Sequence, residues 1–173
     1  GDDLELCEGE PALLYGTGAG EDADYIWEDG VIDSVEFVPA ESGMYYVMGS
    51  TFDGCESNDS VYITVFEPSI SDAGEDQFLC DTNATTLSGS ALTATSVGLW
   101  TLVDGPGPVD FDDPEEPDTD IEDLIEGIYT LEWAVTNGTC PPELDTVLIH
   151  IYNPPASYAG PDQDLCNAYS TTL

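Results

Sequence analysis

Gly127-Ile128-Tyr129-Thr130-Leu131-Glu132-Trp133-Ala134-Val135-Thr136-Asn137 decides the fold class. Tyr129, Leu131, Trp133 and Val135 recur at every second position, which places them on one face of an extended strand. The alternation is repeated downstream in Val147, Ile149 and Ile151, and upstream in Val61, Ile63 and Val65. Between such runs lie turn clusters: Gly16-Thr17-Gly18-Ala19-Gly20, Glu28-Asp29-Gly30, Asp53-Gly54 and Asp104-Gly105-Pro106-Gly107. Short strands punctuated by such turns predict an all-β chain of antiparallel sandwiches. The helix-like stretch from Ile121 to Glu126 is cut off by Gly127 and reads as a loop turn.

The chain also repeats itself. Ala73-Gly74-Glu75-Asp76-Gln77-Phe78-Leu79-Cys80 is echoed at an offset of 86 by Ala159-Gly160-Pro161-Asp162-Gln163-Asp164-Leu165-Cys166, and Thr85-Thr86-Leu87 by Thr171-Thr172-Leu173. A shorter module opens at Leu4-Glu5-Leu6-Cys7 and closes at Val65-Phe66-Glu67-Pro68. The expected organisation is therefore a sandwich over residues 1–68, a second over 69–154, and the start of a third repeat over 155–173. Neighbouring repeats of the same longer chain are the first expected partners.

Composition narrows the functions. Of 173 residues, 37 are Asp or Glu, none is Lys or Arg, and one is His, for a formal charge of −37. Hydrophobic residues still make up 41%, enough to build cores, unlike an acidic disordered tail. Without a cationic side chain there is no patch for phosphate, which excludes nucleic acid and anionic lipid as partners. The longest apolar stretches, such as Val147 to Tyr152, have strand length, so no membrane insertion is expected.

Five cysteines track the repeat. Cys7 and Cys80 lie near the first strand of their modules, and Cys55 and Cys140 just before the last strand. The expected bridges are Cys7 with Cys55 and Cys80 with Cys140, one per sandwich, leaving Cys166 to a partner beyond residue 173. Closing loops of this length stabilises by about 4 kcal/mol each in the chain-entropy description. Such bridges imply an oxidising compartment, hence export.

The segments AGEDQFLC, TTLSG, GLWTLVDGPG, GIYTLEWAVTNGTC and DTVLIHIYNPP resemble the Ig-like (PKD-like) repeats of giant cell-surface adhesins of the Bacteroidota. LCEGEPALLYG, YIWEDG, FVPAESGMYYV and DGCESNDSVYITV resemble a related Ig-like module of the same proteins. The resemblance implies an extracellular, cell-surface location, type IX secretion and, in its most specific form, a gliding-motility adhesin. It also implies O-glycosylation at Asp-Ser/Thr-aliphatic triplets, making Ser34, Ser60 and Thr146 candidate attachment sites. The sequons at Asn58, Asn83 and Asn137 matter where the source performs N-glycosylation.

Clustered carboxylates are the candidate metal ligands. Residues 110–120 hold seven of them in eleven positions, and Asp110, Asp112, Asp113, Glu115 and Asp118 offer the hard oxygens that Ca²⁺ takes. A second candidate Ca²⁺ site is the junction with Asp72, Glu75 and Asp76, mirrored by Asp162 and Asp164; a weaker third is Glu21-Asp22-Asp24. Each also reads as a solvated acidic turn. Trp27 and Trp100 are expected in the two cores. Tyr62, Thr64 and Phe66 face outward and suit an interdomain contact, and His150 is expected on an outer strand face. One His and no Lys or Arg leave no triad and no oxyanion or phosphate clamp, so no enzyme is expected.

The leading function is thus a structural spacer or stalk of a long exported adhesin, for surface attachment or gliding. The alternative is a non-catalytic glycan- or surface-binding module of a secreted multidomain hydrolase, which requires exposed aromatics gathered on one face.

Overall fold

A computed structural model describes residues 2–20, 23–160 and 166. Glu21, Asp22, Asp162, Asp164 and most of the expected third repeat lie outside the described residues. Among the described residues all regular structure is β.

The first unit contains β1 (Leu4–Cys7), β2 (Ala12–Leu13), β3 (Asp24–Trp27), β4 (Glu36–Phe37), β5 (Gly43–Ser50) and β6 (Glu56–Phe66). A four-stranded sheet in the order β1-β6-β5-β3 faces the short β2-β4 ladder. The second unit contains β7 (Gln77–Cys80), β8 (Thr85–Thr86), β9 (Ser96–Asp104), β10 (Asp110–Phe111), β11 (Asp120–Glu122), β12 (Gly127–Asn137) and β13 (Glu143–Tyr152). Its sheets run β7-β13-β12-β9 and β10-β11-β8. β10 and β11 occupy the loop between Trp100 and β12, and residues 121–126 form no helix.

Each unit has its own core, and the period-two residues supply it. Trp100, Tyr129, Leu131, Trp133, Val135, Val147, Ile149 and Ile151 are buried together in the second unit. Trp27, Val61 and Ile63 are buried with Ala12 and Leu14 in the first. Most strand pairs are antiparallel, but the first strand of each unit runs parallel to the last: Cys7 lies opposite Phe66, and Cys80 opposite Tyr152. This direction decides the disulfides. A first-strand cysteine stands at the finishing end of the last strand, whereas the cysteine before that strand stands at its starting end. In the first unit, β6 is 11 residues long, so Cys7, opposite Phe66, and Cys55, just before Glu56, are about 36 Å apart at 3.3 Å per residue. A disulfide requires Cα atoms within about 7 Å. The expected Cys7–Cys55 and Cys80–Cys140 bridges are thus not formed. The structure instead joins Cys7 to Cys140 across the two units, with Cα atoms 4.8 Å apart and a sequence separation of 133. Cys55 and Cys80 are exposed thiols.

The two units also match in their strands, apart from β10, which the first unit lacks. Strands β1 to β3 map onto β7 to β9 at an offset of 73, and β5 and β6 onto β12 and β13 at an offset of 86. The registers agree: Trp27 opposite Val47 corresponds to Trp100 opposite Trp133.

Candidate functional site

The junction between the sandwiches is where the chain's chemistry gathers. β1 delivers Cys7 to the end of the first unit. There the Glu8 amide donates to the Phe66 carbonyl at 2.8 Å and the Glu10 amide to the Cys7 carbonyl at 3.0 Å. The Cys7 amide donates back to Glu10 Oε2 at 2.9 Å, and Gly9 makes the turn with a φ of +87° that costs glycine little. From the second unit, the β12–β13 hairpin presents Cys140, whose amide donates to the Asn137 carbonyl at 3.0 Å. Asn137 is buried, and its Nδ2 donates to the Glu67 carbonyl at 2.9 Å. The Phe66 ring lies over Gly138: a methyl group there would be 2.3 Å from ring carbons, and the backbone φ is +55°. Phe66 thus makes the interdomain contact expected of its strand face.

The linker is held as well. Ser71 Oγ donates to the Trp133 carbonyl at 2.6 Å, and the buried Ala73 donates its amide to Asp145 Oδ2 at 2.8 Å. A peptide linker, a disulfide, a ring contact and these hydrogen bonds therefore tie the boundary. In the chain-entropy description, closing a loop of 133 stabilises by about 5 kcal/mol.

Four of the eight carboxylates named as candidate metal ligands accept hydrogen bonds within the chain. Asp76 Oδ1 accepts the Leu148 amide at 2.9 Å, and Asp3 Oδ1 accepts that of Tyr62 at the matching place in the first unit, also at 2.9 Å. Asp72 Oδ1 takes the Gly74 amide at 2.9 Å. In the acidic loop, Asp113 Oδ1 takes the Glu115 amide at 3.0 Å and Asp118 Oδ1 the Ser88 hydroxyl at 2.9 Å. Asp110, Asp112, Glu115 and Glu75 are exposed. Among the described residues no three His, Cys, Asp or Glu side chains are gathered as a metal would require. The loop's inward-facing atoms are backbone carbonyls: Pro114 O accepts the Trp100 amide at 2.7 Å and Pro117 O the Gly89 amide at 2.8 Å. It covers the edge of the second sandwich with carbonyls, and its Asp110, Asp112 and Glu115 side chains are exposed.

The glycosylation candidates divide by exposure. Ser34 and Thr146 are exposed and Ser60 is half-buried. Asn58 and Asn83 are exposed, whereas the buried Nδ2 of Asn137 is already donating and has no room for a sugar. His150 is stacked between Phe78, at 4.5 Å, and Tyr152, at 6.1 Å, on the outer face of β7 and β13. Exposed aromatics do gather there, but the rings stack on each other, with 19° between the planes of each pair. The first unit also holds an open cavity of about 410 Å³ beside Tyr25, Trp27 and Val47.

The interdomain bridge escaped sequence reasoning. The signal that could have found it is the pairing of first and last strands, which fixes the end of the sandwich at which each cysteine stands.

No protein-family model matches the chain, and no curated protein matches it. Among solved structures it is similar to the I-band fragment I67-I69 from titin, with a TM-score of 0.53 and 14% identity over 88% of this chain. The variant of the same three Ig domains with Glu changed to Ala gives a TM-score of 0.52 and 15% identity over 90% of this chain. The chain spans 64% of the length of each titin fragment. The PKD domain from KIAA 1837 protein aligns over 54% of this chain and 92% of its own length, at 22% identity and a TM-score of 0.43. The fold is that of tandem immunoglobulin-like sandwiches.

Proposed function

We propose that this chain is a force-carrying spacer in the stalk of an exported cell-surface adhesin, of the kind that projects a distant tip for attachment or gliding. The observation that carries the reading is the disulfide from Cys7 to Cys140, which joins the first strand of one sandwich to the last hairpin of the next. Tension along the chain enters β1, crosses the bond to Cys140 and leaves through β13. Residues 8–139 lie outside that path, so neither sandwich can be pulled out to full length while the bond is intact. A disulfide of this kind fits an oxidising, extracellular setting. The charge of −37 fits the same role, because it keeps neighbouring stalks apart.

Single-molecule stretching tests this. At about 3.4 Å per extended residue, the oxidised chain should reach roughly a quarter of the contour length that the reduced chain reaches. Equal contour lengths before and after reduction would contradict it.

A further inference from the structure

We propose that the Cys7–Cys140 bond is one link of a series: Cys80 bonds the hairpin cysteine of a sandwich that follows, and Cys55 bonds the first-strand cysteine of one that precedes. The inference deepens the spacer reading and rests on it, because it makes every boundary of the string doubly covalent.

Cys80 reproduces the setting of Cys7. Both end a first strand parallel to the last strand, opposite Phe66 for Cys7 and Tyr152 for Cys80. The next amide donates to that opposite residue's carbonyl in each case, Glu8 to Phe66 at 2.8 Å and Asp81 to Tyr152 at 3.1 Å. Asp3 and Asp76 cap the two strand pairs identically. One difference stands out: Cys7 is buried in its bond, whereas Cys80 is an exposed thiol.

Cys55 lies in the hairpin that corresponds to that of Cys140, one position further on: Gly54, whose amide donates to the Thr51 carbonyl as that of Cys140 does to Asn137, holds the matching place. Each sits in the hairpin between the last two strands, shortly before an Asp-Ser/Thr-Val triplet, Asp59-Ser60-Val61 or Asp145-Thr146-Val147. Both turns hold a glycine of positive φ, Gly54 at +79° directly before Cys55 and Gly138 at +55° two residues before Cys140. The space over Gly138 is filled by Phe66 of the preceding unit, while a methyl group built on Gly54 would meet nothing within 4 Å. Phe52, in the same turn, is 95% exposed. At the other end of the chain Tyr152, in the place of Phe66, is also exposed. At the two outer ends the β5–β6 turn and Tyr152 are thus exposed, whereas at the middle boundary the β12–β13 hairpin and Phe66 cover each other.

The spacing supports the same geometry. The linker Glu67-Pro68-Ser69-Ile70-Ser71-Asp72-Ala73-Gly74 has the same length as Asn153-Pro154-Pro155-Ala156-Ser157-Tyr158-Ala159-Gly160. Gly74 and Gly160 share the left-handed conformation, with φ of +80° and +81°. Cys55 and Cys80 stand at opposite far ends of the two units and cannot bond each other within one chain.

Each further link forms one Sγ–Sγ bond and breaks two S–H bonds. The two protons and two electrons pass to a protein dithiol oxidant in its disulfide form, which is reduced to two thiols.

The test is disulfide mapping of the full-length protein from its source, with thiols blocked by N-ethylmaleimide in acid denaturant before digestion. The absence of Lys and Arg requires a glutamyl endoproteinase in place of trypsin. We expect Cys80 in a linked pair with a hairpin cysteine of the next sandwich, Cys55 in one with a first-strand cysteine of the preceding sandwich, and no maleimide on either. Maleimide on Cys80 or Cys55, or bonds to cysteines elsewhere, would overturn the series. The Cys7–Cys140 pair is the internal control. Its presence beside blocked Cys80 sinks only this inference, whereas its absence sinks the spacer reading too.

Discussion

Asp33 stands in for a peptide carbonyl. Its Oδ1 accepts the Trp27 indole N–H at 2.9 Å and the Gly16 amide at 2.7 Å. In the second unit the Pro117 carbonyl accepts the equivalent pair, Trp100 Nε1 at 3.2 Å and the Gly89 amide at 2.8 Å. The bond from Trp27 is the main cause holding the Asp33 carboxyl below its usual pKa, with the amide of Gly16 and hydroxyl of Ser34 adding and partial burial opposing. A carboxylate with a depressed folded pKa stabilises above its unfolded value and loses that contribution as pH falls through the folded one. Asp33→Ala should destabilise the first unit by about 1–3 kcal/mol, since two donors lose their acceptor. Asp33→Asn keeps an acceptor and should cost less. The stability gap between wild type and Asp33→Asn should shrink as pH falls below the usual carboxylate range, read as thermal midpoints against pH. A gap independent of pH would contradict the assignment.

At the scale of the element, one slot in each sandwich is filled from opposite strands. In the second unit Trp133 of β12 fills it, its ring 5.0 Å from that of Trp100 and tilted 32° to it, and Gly98 of β9 makes room: a methyl group there would be 2.2 Å from the Trp133 ring. In the first unit the position of Trp133 is Val47 and that of Gly98 is Tyr25, whose ring now covers the slot. Gly16 and Gly89 lie under the ring in both, with a built methyl 2.0 Å from Tyr25 and 2.9 Å from Trp133. Gly98→Ala should cost about 1–3 kcal/mol by overpacking, whereas Tyr25→Ala leaves a cavity and should cost more, about 3–5 kcal/mol. Chemical denaturation of each variant reads both.

The period-two runs made these strands and their buried faces legible, because alternation is a local property. Cysteine pairing was not legible in the same way. It depends on which end of a strand a residue occupies, and so on the parallel pairing of β1 with β6, a contact between residues far apart in sequence. Likewise, the acidic loop's composition suggested ligands, but the inward acceptors that Pro114 and Pro117 supply are backbone atoms, invisible to a count of side chains.

For the whole molecule, 37 acidic groups face no Lys or Arg, so dissolved ions carry most of the relief of their repulsion. Raising monovalent salt from about 20 mM to 1 M shortens the screening length from about 20 Å to 3 Å and should raise the thermal midpoint. A Ca²⁺ effect beyond that of monovalent salt at equal ionic strength would mark a specific cation site among the carboxylates. A midpoint flat in salt would contradict the repulsion account.

One bond, from Cys7 to Cys140, closes the boundary between the two sandwiches. It is tested most directly by digesting the oxidised, denatured 173-residue chain with a glutamyl endoproteinase under non-reducing acid conditions. We expect residues 6–8 linked through Cys7 to residues 133–143 through Cys140, the pair separating on reduction. Recovery of Cys7 linked to Cys55, together with Cys80 linked to Cys140, would contradict it.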